Sequence, residues 1–146
     1  MLQRKFSILV FLVFFTSICF AQNKDAIVGK WLTATGEGQI EIYKRSDKYF
    51  GKLFWIKDPN DENGKPKLDQ KNPNASLRGK SILGLEILKN FIFEDGKWID
   101  GTIYDPQTGK TYSCNLTLKE NGQLGVRGYI GISLIGRTET WRRVKP

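Results

Sequence analysis

Polar and apolar residues alternate through most of this chain. Between Thr111 and Leu118 the alternation is unbroken, with Tyr112, Cys114, Leu116 and Leu118 on one side and Thr111, Ser113, Asn115 and Thr117 on the other. A two-residue period places successive side chains on opposite faces of an extended backbone, so the segment predicts a strand with one face on a core. Ile40 and Ile42 against Glu41 and Tyr43 repeat the pattern. Turn-forming clusters separate such runs: Thr35-Gly36-Glu37-Gly38, Ser46-Asp47, Glu94-Asp95-Gly96, Asp105-Pro106-Gln107-Thr108-Gly109 and Glu120-Asn121-Gly122. The pattern predicts eight strands, near 27–35, 38–45, 48–56, 81–88, 90–94, 97–104, 110–119 and 123–142. The last span is long enough to be two strands divided at Gly131. No long stretch carries helical spacing.

Consecutive strands joined by short turns imply an all-β, antiparallel up-and-down meander, and one of this size closes into a barrel. Closure removes the unpaired edges that promote aggregation. About eight strands enclose an interior that side chains fill, or that holds one small ligand. Residues 57–80, KDPNDENGKPKLDQKNPNASLRGK, exceed the roughly 12–15 residues that compact domains tolerate without structure. Rich in Pro and Asn, with four acids, they are expected as an ordered, turn-rich excursion over one barrel end. Such a loop serves as a lid or rim, or is a solvated insertion.

One strand does not fit the pattern. In GRTETW (136–141), Arg137, Glu139 and Trp141 share a face and Thr138 and Thr140 share the other, so neither face is the apolar one a core requires.

Composition sets the compartment. Residues 1–21 have the parts of a secretory signal: Arg4 and Lys5, the apolar run Phe6 to Phe15, and Cys19-Phe20-Ala21 for cleavage before Gln22. That run is shorter than the roughly 20 residues a spanning helix needs, so export is expected, with a periplasmic or extracellular mature domain over 22–146 and no transmembrane segment. Loss of Arg4 and Lys5 lowers the formal charge from +8 to +6. The remaining Lys and Arg are interspersed with acids, as in Lys44-Arg45-Ser46-Asp47-Lys48, without the basic, aromatic-interleaved stripe of a nucleic-acid binder. Cys114, alone after the signal, excludes an internal disulfide and reads as a buried, inert thiol.

Gly29-Lys30-Trp31 early in the first strand and Arg137 on the last resemble the G-x-W and arginine pair of the calycin superfamily of lipocalin-like barrels. More of the chain is similar to the DUF2147 family of small exported bacterial proteins. The resemblance is carried by GKWLT (29–33), GKLFWIKDP (51–59), GKPKLDQKNPNASLRGK (64–80), ILGLEIL (82–88), GTIYDPQTGKTYSCNLTL (101–118), LGVRGYIG (124–131) and GRTETWRRV (136–144). It implies a lipocalin-like barrel whose last strand meets its first, with the Arg137 guanidinium lying on the Trp31 ring. On that implication the odd face of GRTETW is a barrel-closing cluster.

Candidate chemistry is sparse. The chain has no histidine, which removes the usual neutral-pH base, the commonest metal ligand and every Ser–His or Cys–His arrangement. No zinc or calcium spacing occurs; the acidic run Asp58–Gly64 lacks the further ligands of a calcium loop. No cofactor, metal or catalytic residue is assigned. Asp69 is spaced to cap the Asn72-Pro73 turn or to pair with Arg78. Three functional classes remain. The first is a binding barrel for a small, partly apolar ligand, with Trp31, Phe50, Tyr104, Tyr112 and Trp141 as aromatic surface, Arg78 or Arg137 fixing an acidic group, and Asp69 and Asn72 on the rim. The second is a packed barrel acting as an envelope interaction module. The third is an enzyme pairing Asp69 with Asp105 or Glu139, for which no spacing singles out a pair.

Overall fold

The computed structural model describes residues 23–146; the expected secretory signal lies outside them. Eight strands follow in order: β1 (Gly29–Leu32), β2 (Gly38–Arg45), β3 (Lys48–Ile56), β4 (Glu86–Glu94), β5 (Lys97–Asp105), β6 (Lys110–Leu118), β7 (Leu124–Tyr129) and β8 (Gly136–Arg143). Each pairs antiparallel with the next and β8 returns to β1, so the sheet is a closed up-and-down barrel. The first, third, fifth and seventh connections lie at one end. The chain start, the even-numbered turns and the chain end lie at the other.

One expected boundary disappears and one open alternative is resolved. The strands expected at 81–88 and 90–94 are one strand, β4, and the long 123–142 span is two, β7 and β8. Asn90 takes a left-handed backbone (φ 64°) inside β4, and pairing with β5 resumes at Ile92 opposite Ile99. Asparagine tolerates that conformation, so a residue that reads as a turn signal marks a kink in a continuous strand. Gly101 on β5 faces the same kink, where a Cβ would lie 2.4 Å from the Phe91 ring. Absence of a side chain there lets Phe91 fill the barrel.

The core fills one half of the barrel. Trp31, Trp98, Trp141, Tyr49 and Phe91 are buried there among Ile42, Leu88, Leu116 and Leu124. Each aromatic removes roughly 150–250 Å² from water, about 4–6 kcal/mol of transfer free energy. Residues 24–28 run across this end as a floor, with Ile27 buried against the core. Trp31 Nε1 donates to the Ile27 carbonyl at 2.8 Å, Trp98 Nε1 to the Lys24 carbonyl at 2.9 Å, and the Tyr49 hydroxyl to the Asp25 carboxylate at 2.5 Å. That hydroxyl holds the Asp25 carboxyl below its ordinary range.

The seam between β8 and β1 is thin: Trp31 lies opposite Arg143 and Leu32 opposite Arg142. A side chain reinforces it, and it is not the expected one. Arg143, six residues beyond Arg137, lies over the Trp31 ring at 4.2 Å from the centroid. It also donates to the Val28 carbonyl at 3.2 Å and to the Ala26 carbonyl. Arg137 sits opposite Gly128 on β7, at the far end of the strand. Both arginines share the inward parity of β8, but only Arg143 reaches the level of Trp31.

Replacing Arg143 with Ala removes a stacked cation and two backbone hydrogen bonds, and is expected to cost about 2–4 kcal/mol in urea unfolding. Arg137→Ala is expected to stay within about 0.5 kcal/mol of the parent. Equal effects of the two substitutions would overturn this assignment of the seam.

A cavity at the open end of the barrel

Above the aromatic half the barrel is hollow. A cavity of about 780 Å³ opens at the end opposite the floor, inside the roughly 300–1,000 Å³ range of small-molecule sites. Its walls are inward residues of successive strands: Ile40, Leu53, Ile87, Ile103 and Val126, with Tyr104 and Tyr112 above them. Alternation places Ile40, Leu53, Ile103, Tyr112 and Val126 inward. Ile87 joins them beside inward Leu88 at the register shift opposite Gly51 and Lys52. Tyr104, next to Ile103, lines the mouth where it meets Asp69.

β8 contributes a different surface. Trp141 lies opposite Leu124, Glu139 opposite Val126 and Arg137 opposite Gly128, so all three point inward. Trp141 is buried in the core, whereas Arg137 and Glu139 line the cavity and reach solvent through its mouth. Trp141 Nε1 donates to Glu139 at 3.4 Å, which orients that carboxylate. Arg137 enters no ion pair among the described residues, where the pairs are Lys44 with Asp25 and Asp47, and Arg45 with Glu86. Thr138 and Thr140 face outward and bond to Arg127 and Lys119. The segment without an apolar face is thus a strand passing from core to open mouth, where an inward charge stays hydrated.

The long loop caps the mouth. It is ordered by two bridges, Asn60 with Pro66 and Leu68 with Ser81, and by a short 3₁₀ turn, Ala75–Leu77, capped by Asn74. Lys57, Asp58, Lys67 and Ile82 line the cavity from it. Asp69, fully buried, fastens it: its carboxylate accepts from the Tyr104 hydroxyl at 2.6 Å and from Asn72 Nδ2 at 2.8 Å. The loop also lies directly on the β5–β6 turn. A Cβ at Gly109 would stand 2.0 Å from the Lys71 carbonyl oxygen, and Gly109 has φ 73°. Only glycine satisfies both the turn and the approach.

The sequence-derived site residues therefore separate. Tyr104, Tyr112 and Arg137 meet at the cavity, while Asp69 and Asn72 hold its cap. Trp31 and Trp141 lie below it as floor and core, because a large inward aromatic near the closed end is covered on all sides. Phe50 stacks on Tyr43 on the outside of the barrel, under Arg45. Arg78 is exposed and donates to the Asn72 carbonyl at 2.7 Å, so it neither pairs with Asp69 nor reaches the cavity. Asp105 accepts from Gln107 N and Thr108 Oγ1 within its own turn, which leaves both carboxylates of the Asp69–Asp105 pair in structural bonds. Asp61 likewise accepts from the backbone of Asn63 and Lys65, and the described residues contain no group of three potential metal ligands. Lys57, Lys67 and Glu37 were not foreseen at the mouth; their loops carry no periodic signal.

Burial, then the Asp69 carboxylate, push the Tyr104 hydroxyl up to about 12 from an ordinary value of 10.0. The folded protein keeps a proton that the unfolded chain releases. Stability from this bond is present below pH 10 and falls as pH rises toward 12. Tyr43, held up to about 12 by burial and Glu86, acts in the same direction. Tyr104→Phe is expected to cost about 1–3 kcal/mol at neutral pH and to flatten the alkaline decline, with faster proteolysis within 57–80. Urea unfolding across an alkaline pH series measures both; an unchanged pH slope would sink the assignment.

A family model described as "Uncharacterized protein conserved in bacteria (DUF2147)" matches residues 29–143. Among solved structures the chain is similar to protein HP1028 of Helicobacter pylori, described as belonging to the lipocalin family. The TM-score is 0.69 at 25% identity, over 81% of this chain and 82% of that one. No curated protein matches.

Proposed function

The chain belongs to the DUF2147 family, and on that premise we propose that it is an exported lipocalin-like barrel that binds an acidic amphiphile. One observation carries the reading: an inward arginine without an ion pair among the described residues stands at the mouth of an apolar-walled cavity. A guanidinium there offers a fork of donors matched to a carboxylate or phosphate. The ligand's apolar body lies below, against Ile40, Leu53, Ile87, Ile103 and Val126. Glu139, one inward step deeper, repels a second negative charge and accepts from a hydroxyl or amine. Tyr104 and the 57–80 loop cover the head group, so entry involves displacement of this cap. Binding without turnover accounts for the site's composition: its carboxylates lack a histidine partner, and Asp69 and Asp105 hold the cap and its turn. Export rests on the basic-then-apolar start of the chain.

Two measurements test this. Titration with a long-chain fatty acid is expected to saturate at one equivalent, and Arg137→Ala is expected to weaken it by roughly tenfold or more. The same substitution should leave affinity for the corresponding fatty alcohol unchanged. Absence of saturable binding by either compound, together with empty native mass spectra of protein from its own envelope, would end the proposal. Those spectra also report export, through a mass beginning at Gln22.

A further inference from the structure

The β7–β8 connection presents four large aliphatic side chains to solvent: Ile130, Ile132, Leu134 and Ile135 are 74, 57, 86 and 72% exposed. They fall within six residues at the open end of the barrel, a concentration that an ordinary solvated loop does not carry. The backbone beneath them is organised in the opposite sense. Ile135 N donates to the Ile132 carbonyl at 3.1 Å. Arg127, on the outer face of β7, donates Nε to the Ser133 carbonyl at 2.7 Å and Nη2 to the Leu134 carbonyl at 3.3 Å. Its Nη1 donates to Thr138 Oγ1 at 2.9 Å. Three consecutive carbonyls are thus satisfied from within while the side chains above them have no cover. Satisfying backbone polar groups internally is what entry into hydrocarbon requires.

We propose that this tip inserts into the surface of an anionic lipid bilayer and sets the mouth of the barrel against the membrane. Charge decides for a bilayer carrying negative head groups. No acid occurs between Asn121 and Thr138, a span containing Arg127 and Arg137, and the chain from Gln22 carries +6. On the long loop Asp58, Asp61 and Glu62 are interspersed with Lys57, Lys65 and Lys67, so contact is set by the exposed aliphatic tip. A protein partner is disfavoured by the tip's chemistry, since its large side chains, Ile130, Ile132, Leu134 and Ile135, are all aliphatic; protein interfaces are anchored on Trp, Tyr and Arg. The proposal does not depend on the cavity being a binding site, since membrane contact is measured without a ligand.

The test uses the chain from Gln22, which contains the complete floor and barrel and omits the apolar start that would itself bind lipid. Flotation with vesicles of equimolar phosphatidylglycerol and phosphatidylcholine is expected to carry the protein, and vesicles of phosphatidylcholine alone to carry little. Ile132→Asp combined with Leu134→Asp, checked for an unchanged urea midpoint, is expected to weaken binding by about tenfold or more. As a second readout, Leu134→Cys takes a polarity-sensitive dye at one site, because the other cysteine, Cys114, is buried. Its emission should shift to the blue on anionic vesicles. No flotation of the parent, flotation unaffected by the double substitution, or a dye that stays in water would each overturn the proposal. A parent dimer that the double substitution dissolves, without vesicle binding, would overturn it in favour of contact between two copies.

Discussion

The barrel depends on a floor made of main chain. Residues 24–28 cross the closed end, and four side chains from β1, β3, β5 and β8 converge on them: Trp31, Tyr49, Trp98 and Arg143. Three of the four bond to backbone carbonyls, so the floor is fixed largely by its path, with buried Ile27 and the Asp25 carboxylate adding side-chain anchors. Those carbonyls belong to no strand, and burying them unpaired would cost about 1–3 kcal/mol each. Aromatic rings that fill the core therefore also satisfy its most exposed polar seam. Arg143 alone spans both problems, covering Trp31 and tying β8 to the segment before β1 where the ladder is shortest.

A solid floor allows a hollow top. Stability is concentrated in the closed half, where Trp31, Trp98, Trp141 and Phe91 interlock, so the open half need not be packed to hold the fold. The inward face of β8 records this gradient: Arg143 at the floor, Trp141 in the core, Glu139 against it, Arg137 at the mouth. Each residue type suits the water available at its depth. Inward charge is costly in a filled barrel and inexpensive in an open one.

Most of the architecture was legible from alternation, because a barrel wall with one wet face must show a period of two. Strand number, antiparallel order and closure followed from it, and the excursion over 57–80 followed from its length and turn-forming residues. Errors arose where one residue type serves two purposes. Asn90 reads as a turn and is a kink within β4, whereas the division at Gly131 that the sequence left open is the one the fold adopts. The choice between Arg137 and Arg143 was invisible to parity, since both lie on the inward face, and only register against β1 separates them. Tyr104 and Tyr112 reach the cavity because they flank the turn at its mouth. Arg137, singled out by the family resemblance for the seam, lines the cavity because it is inward at the open end of β8. Trp31, Trp141 and Phe50 misled because aromatic character says nothing of depth or side. Arg78 misled because a long loop conceals which of its cations are already bonded.

The two unusual features of the open end are connected through β7. On its inner face Gly128 lies opposite Arg137, and both line the cavity. On its outer face, one residue earlier, Arg127 holds the carbonyls of the aliphatic tip. The same short strand thus positions the charge facing the cavity and the loop facing away from the barrel. A displacement of that loop acts on Arg127 and Thr138, which pair across β7 and β8. Thr138 is the immediate neighbour of Arg137. Whatever the tip contacts is therefore one residue from the group that would hold an acidic ligand, a linkage that requires no movement of the floor.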